Sequence, residues 1–304
     1  MELIINSIVP VFLIVAMGYF FRKTKIIDDA VEKFLNNIAY YLLLPAMIFI
    51  SIYKSPFETI VNIRMVVGIY AGAFIVFIIA AVIALAYPKE KRAGFVLPTF
   101  RTNIAYIGFP LILHAYGQLA LAEISVLTGF IAPVTITFSI IYLKILYRDK
   151  DKNTKGIVYH VFTDPLVISS IVGIAFSYFK IRLPQFAVNT VDLISSMGSP
   201  LMLIAVGAGL KISTINKDKM LVVISSALKL IIQPAISFFI FTYLIPLTGL
   251  EFKVAVMTFS FPSALSTYIM VKQYKGDGEL TAAIIMATTL LSILTMSAWI
   301  LLLG

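Results

Sequence analysis

Ten long apolar stretches, parted by short polar ones, take up nearly the whole chain. They run Leu3–Phe21, Phe34–Tyr53, Met65–Tyr87, Phe95–Tyr116, Leu121–Tyr147, Pro165–Phe179, Val188–Leu210, Met220–Ile245, Phe252–Tyr274 and Leu280–Leu303. Nearly all have the length that helices use to cross about 30 Å of hydrocarbon at about 1.5 Å per residue. The pattern predicts an all-α integral membrane protein with ten transmembrane helices. The sixth stretch is short but has a clear start: Asp164 stands as N-cap ahead of Pro165, whose missing N–H costs nothing in the first helical turn.

Two stretches are interrupted. The fourth is broken by Thr102-Asn103 and by Gly108-Phe109-Pro110, and the ninth by the run from Ser260 through Pro262 to Thr267. A lipid-facing helix cannot leave backbone N–H and C=O groups unpaired, so such breaks survive only along a cavity or inside packed protein. Breaks at corresponding places in two halves of a chain point to the substrate site of a secondary transporter built from inverted repeats. The most polar connection, Arg148 to Gly156, falls at the midpoint. It divides the chain into a first five-helix repeat (1–147), a short cytoplasmic linker (148–163) and a second five-helix repeat (164–304). Five spans on either side must run in opposite senses, which is the arithmetic of an inverted repeat. Pro10 with Pro165 and Pro45 with Pro200 share one offset, and Pro110 with Pro262 fits it to within a few residues.

Basic residues orient the spans. About 17 lie in odd-numbered connections, among them Arg22, Lys23, Lys91, Arg92 and Lys217, against about four (Lys54, Arg64, Lys180, Arg182) in even-numbered ones. Odd connections are therefore expected in the cytoplasm and both termini outside, in the plasma membrane. Composition agrees: 60% of the residues are hydrophobic and 13% charged, with a mean hydropathy of +0.99, far from a soluble domain. The net charge of +9 sits in these connections, so it reads as orientation and not as a nucleic-acid surface. With no Cys, two His and no HExxH, GxSxG or GxxxxGK[ST] run, neither an intramembrane enzyme nor an ATP-driven pump is expected. No cofactor, metal or catalytic residue is expected either.

Candidate chemistry gathers at the breaks. The second half of a helix broken in mid-membrane presents free N–H groups and partial positive charge, suited to an anion. Asn103 adds two donors and an acceptor. Thr102, Ile104, Gly108 and Pro110 stand beside it in sequence, with Pro262, Ser263, Ser266 and Thr267 in the other break. Arg101, Lys229, Glu123 and Asp192 are candidates for a charge or coupling role. Lys229 lies near the middle of its span, where an ionisable group is a functional hypothesis by default, with Glu123 or Asp192 as its possible partner. Against these stand plainer readings: Pro45, Pro133 and Pro234 as kinks, helix-nine hydroxyls as small packing residues, and Gly207 and Gly209 as sites of close helix packing.

The run Thr99-Phe100-Arg101-Thr102-Asn103-Ile104-Ala105-Tyr106-Ile107-Gly108-Phe109-Pro110-Leu111 resembles the fourth-helix signature of the auxin efflux carrier family. Leu42 to Phe49, Pro200 to Leu210, and Phe261 to Tyr274 resemble further stretches of that family. The resemblance covers essentially the whole chain. It implies a scaffold of helices 1, 2, 6 and 7 that forms a homodimer, and a transport core of helices 3–5 and 8–10 in which the breaks of helices 4 and 9 cross. It also implies the family's substrate-site asparagine at Asn103. Thr102 and Thr267 stand where plant members carry crossover prolines, so plant-type auxin selectivity is not implied. The expected function is alternating-access, elevator-like transport of a small organic anion, with export driven by the membrane potential. Sodium- or proton-coupled dicarboxylate uptake, and a channel or sensing receptor, are the alternatives.

Overall fold

A computed structural model describes residues 2–57, 62–147, 163–210 and 218–304. Every regular element among them is helical: α1 (Glu2–Lys23), α2 (Asp29–Ile38), α3 (Leu44–Tyr53), α4 (Ile63–Ala84), α5 (Lys89–Phe100), α6 (Phe109–Tyr147), α7 (Pro165–Tyr178), α8 (Gln185–Ser196), α9 (Gly198–Ala208), α10 (Lys219–Ala227), α11 (Gln233–Phe239), α12 (Gly249–Ser260), α13 (Ser266–Gln273) and α14 (Gly278–Leu303). π-helical turns at Ala39–Leu43, Ile104–Gly108, Leu228–Ile232 and Ile240–Leu244 join some of these into longer runs. Six runs among the described residues are long and apolar enough to cross a membrane: Asp29–Tyr53, Ile63–Ala84, Ile104–Tyr147, Gln185–Ala208, Lys219–Leu244 and Gly278–Leu303. The shorter α7 is also apolar. The expected linker Arg148–Gly156 lies outside the described residues.

Local chemistry explains most of the helix limits. α2 starts further back than the apolar pattern suggested, because the Asp28 carboxylate accepts from Val31 N at 2.8 Å and caps it. α7 starts where the sequence placed it, with the Asp164 carboxylate accepting from Leu166 N at 2.8 Å. α6 is interrupted at Gly117, whose φ of 83° and ψ of −171° are open essentially to glycine alone. The seventh stretch, drawn from sequence as one helix, turns at Met197 between α8 and α9.

Two interior prolines share one device. A proline ring collides with the carbonyl four residues before it and offers that carbonyl no N–H. For Pro45 and Pro234 these carbonyls belong to Tyr41 and Leu230, and both lie inside π-helical turns that widen the helix there. Leu230 O accepts instead from the Trp299 indole N–H at 3.3 Å.

The chain forms two compact units. The first comprises Met1–Ile63, Ala105–Pro133 and Val158–Leu210, the second Arg64–Ile104, Val134–Ile157 and Lys211–Gly304. The fourth and fifth stretches are thus each divided, after Ile104 and after Pro133. In the first unit α1 packs along α9, and α3 against α7 and α8. A Cβ on Gly18 would sit 2.2 Å from Ile204 O, and one on Gly207 1.9 Å from Val15 O. The two backbones touch, and glycine is required on both sides. In the second unit Phe95, Leu97 and Phe100 of α5 pack with Val76 and Ala80 of α4 and with Ala283 and Ile284 of α14.

Candidate functional site: two hydrogen-bonded helix breaks

α5 stops at Phe100, and Arg101 turns extended (φ −83°, ψ 130°). α12 stops at Ser260, and Phe261 is likewise extended (φ −71°, ψ 152°). The second stop has a signal in the sequence, because a proline disfavours helix at the residue before it and Pro262 follows. No such residue follows Arg101. The two extended pieces meet antiparallel at Thr102 and Ser263. Asn103 N donates to Pro262 O at 2.8 Å, and Ala264 N to Arg101 O at 3.1 Å. Each break therefore supplies partners for the backbone that the other leaves open, as burial demands.

Side chains take up more of it. Ser263 Oγ donates to Pro98 O at 2.6 Å, a carbonyl that would accept from Thr102 N if α5 continued. Thr288 Oγ1 accepts from Ser263 N at 3.2 Å. Gln233 Nε2 donates to Phe100 O at 3.1 Å, while its Oε1 accepts from Lys229 Nζ at 2.8 Å. Lys229 Nζ also donates to Thr102 Oγ1 at 2.7 Å. Lys229, Gln233 and Ser263 have no exposure, and Asn103 is 4% exposed.

The structure thus brings Thr102, Asn103, Pro262, Ser263 and Lys229 together in the second unit. Ile104 is buried there, and Thr267 Oγ1 donates to Ala264 O at 2.6 Å, just behind the second break. Ser266, which opens α13, is exposed. Arg101 Nη1 donates to Met270 Sδ at 2.8 Å. Gly108, Pro110, Glu123 and Asp192 belong to the first unit. Glu123 is buried, and Asp192 pairs with Lys54 at 2.5 Å. The partners of Lys229 are therefore a hydroxyl and an amide, where sequence offered Glu123 or Asp192. Both carboxylates are far from it in sequence, and spacing carries no information about such pairs.

Sequence reading missed Gln233, Thr288 and Trp299. Gln233 left a signal: it stands four residues after Lys229, on the same helix face. Thr288 and Trp299 left none, since a single hydroxyl or indole is common in such helices. The first unit has its own cavity of about 570 Å³, lined among others by Ser51, Lys54, His114, Gln118 and Asp192.

An all-helical membrane protein that buries two mutually bonded helix breaks has the build of a secondary transporter. Comparison with known proteins agrees. The family model described as "Membrane transport protein" matches residues 3–300, so the chain belongs to that family, the auxin efflux carrier family of the sequence resemblance. A transporter of Methanocaldococcus jannaschii, named as uncharacterized, is 28% identical over 97% of both chains. A Rhizobium meliloti protein named "Putative malonate transporter" is 22% identical over 97% of this chain and 94% of its own. A second transporter named as uncharacterized, from Methanothermobacter thermautotrophicus, is 22% identical over 97% and 96%. The protein is a multi-pass membrane transporter.

Proposed function

We propose that the protein carries a small organic anion, a carboxylate, across the cell membrane by alternating access, in an elevator-like movement of the unit that holds the two breaks. The reading rests on one observation above all: Asn103, nearly closed off from solvent, stands in an extended break whose main chain bonds to Pro262 O. Its amide offers two donors to a carboxylate, within an apolar unit. A relative named for malonate supports a carboxylate as cargo. The described carboxylates of the second unit, Glu90, Asp218, Glu251, Asp277 and Glu279, all stand at helix starts. That distribution favours an anion over a cation at the breaks. In this reading ten helices form two inverted five-helix repeats, both termini lie outside, and the chain dimerises through the scaffold helices 1, 2, 6 and 7. Export of an anion from a negative interior is driven by about 2.3 kcal/mol per charge per 100 mV, so no coupling ion is required.

Malonate flux in proteoliposomes tests the reading. Saturable flux with counterflow is expected, and none for any small carboxylate would overturn it. Asn103→Ala should slow flux at least about tenfold, the loss of one hydrogen bond to a charged group costing roughly 1.5–3 kcal/mol. Unchanged kinetics in that variant would remove Asn103 from the site. Single cysteines at Asn153 and Gly304 of this Cys-free chain should label from the cytoplasm and from outside respectively.

A further inference from the structure

Three of the four basic residues of the even-numbered connections come together in the first unit. A cavity of about 410 Å³ is lined by Lys54, Lys180 and Arg182, with Tyr53, Phe57 and Phe176 beside them. Its walls are tied to one another: Ser177 Oγ donates to Ser55 O at 2.8 Å, and Leu183 N to Tyr53 Oη at 3.1 Å. The Phe57 and Tyr178 rings meet edge to face, 5.0 Å apart. α3 and α7 both end here, so the plain reading makes the cations partners of two helix C-termini. That reading falls short on two counts. The run Lys219–Leu244 also ends at an even-numbered connection, and Ile245 to Thr248 there include no basic residue, so such an end needs none. The second count is charge. Lys54 pairs with Asp192 at 2.5 Å, and among the described residues Lys180 and Arg182 take part in no ion pair. A helix C-terminus carries about half a negative charge, so the two ends offset roughly one of the two charges that Lys180 and Arg182 bring.

A single positive charge is thus left at a cavity between membrane helices, on the side from which the orientation bias keeps basic residues away. Beside it Tyr178, Phe179 and Ile181 are 58%, 69% and 43% exposed, and aromatic side chains settle at the level of lipid headgroups. Basic pockets between membrane helices hold phosphate headgroups, whose oxygens take charge-assisted hydrogen bonds from guanidinium and ammonium groups. We propose that this cavity is a binding site for an anionic phospholipid. Lys180 and Arg182 hold its phosphodiester, and the exposed rings beside the cavity meet its acyl chains. The headgroup of such a lipid carries one negative charge that it does not balance itself, which matches the charge left over. A zwitterionic lipid has none to offer. The proposal holds whatever solute the protein carries, and transport plays no part in its test.

The test is lipid binding to purified protein in neutral detergent, read as the thermal midpoint and, by native mass spectrometry, as lipid retained. Phosphatidylglycerol should raise the midpoint of wild type and stay bound, and phosphatidylcholine should do neither. Lys180→Gln combined with Arg182→Gln should weaken phosphatidylglycerol at least about tenfold, through the loss of hydrogen bonds to a charged group. Lys23→Gln combined with Lys25→Gln removes as much charge from an odd-numbered connection and should leave that affinity unchanged. Should the first double variant fail to fold, Lys180→Gly decides. Lys180 has a φ of 52°, where glycine is favoured, so this variant should fold as well as wild type and still bind phosphatidylglycerol more weakly. Wild-type retention of phosphatidylglycerol by the folded Lys180 and Arg182 variants overturns the proposal. So does equal retention of phosphatidylcholine by wild type, or an equal loss in the Lys23 and Lys25 variant, which would make net charge the cause. Glycerol 3-phosphate separates a lipid from a soluble phosphate. If it raises the midpoint of wild type and not that of the Lys180 and Arg182 variant, the site takes a soluble anion and the lipid assignment is wrong.

Discussion

The α1–α9 contact in the first unit and the paired breaks in the second join helices by opposite means. At the first, Gly18 and Gly207 bring two helix backbones into direct contact with no room for a side chain. Its strength comes from dispersion and shape, and it offers nothing that a solute could exchange for. At the second, helix is given up at Arg101 and Phe261, and the freed groups are bonded crosswise by Asn103, Ala264, Ser263 and Gln233. Such a join is more costly than continuous helix, and each of its bonds has a polar alternative. Within this protein the glycine contact therefore reads as framework and the paired breaks as the place where a ligand can compete.

Breaking the framework should have the largest effect. Gly207→Ala places a methyl 1.9 Å from Val15 O, which forces α1 and α9 apart and should destabilise the protein by about 3 kcal/mol. Thermal unfolding in detergent would show it, and an unchanged midpoint would mean that the close approach is not needed. Next comes Gln233→Leu, which keeps volume but removes one acceptor from Lys229 and the donor to Phe100 O. A cost of about 2 kcal/mol follows from leaving such buried groups short of partners, and Lys229→Met combined with it should restore part of the loss. Failure of the double variant to recover would separate the two residues. Smallest is Lys54→Met. Its ion pair with Asp192 is 49% and 38% exposed on the two side chains, so no more than about 1 kcal/mol is expected. A larger loss would move that pair from the rim of the first unit into its framework.

Much of this was legible in the chain. The apolar stretches lie where helices form, Asp164-Pro165 marks a real helix start, and the interruptions at Thr102-Asn103 and after Ser260 are real breaks, whereas helix runs on through Gly108-Phe109-Pro110, where the sequence also suggested one. Gly207 reads from sequence as a packing glycine and touches backbone in the structure. Lys229 stands out as a mid-span charge, yet its partners could not be read. Thr102 and Gln233 are chosen by how separate helices pack, and Asp192 was already engaged with Lys54. The helices' own irregularities divide the same way. Pro45 and Pro234 stand behind widened turns, where Pro10, Pro98 and Pro133 do not, and nothing in the run around Leu230 announces that Trp299, 69 positions away, will bond its carbonyl.

The two breaks themselves show where sequence ends and tertiary structure begins. Pro262 favours the end of α12, since its ring disfavours a helical Phe261, although Leu44 and Gln233 stay helical before Pro45 and Pro234. Nothing in Arg101, Thr102 or Asn103 forbids helix, and alone the stretch could continue it. Helix is abandoned there because Pro262 O, Ala264 N and the Ser263 hydroxyl offer its backbone bonds from more than 150 residues away. Inside an apolar interior every N–H and C=O must find a partner. The sequence made one helix prone to stop at Pro262 and leave its backbone open, and only the packed second unit decided that it would stop there and which other helix would open to meet it.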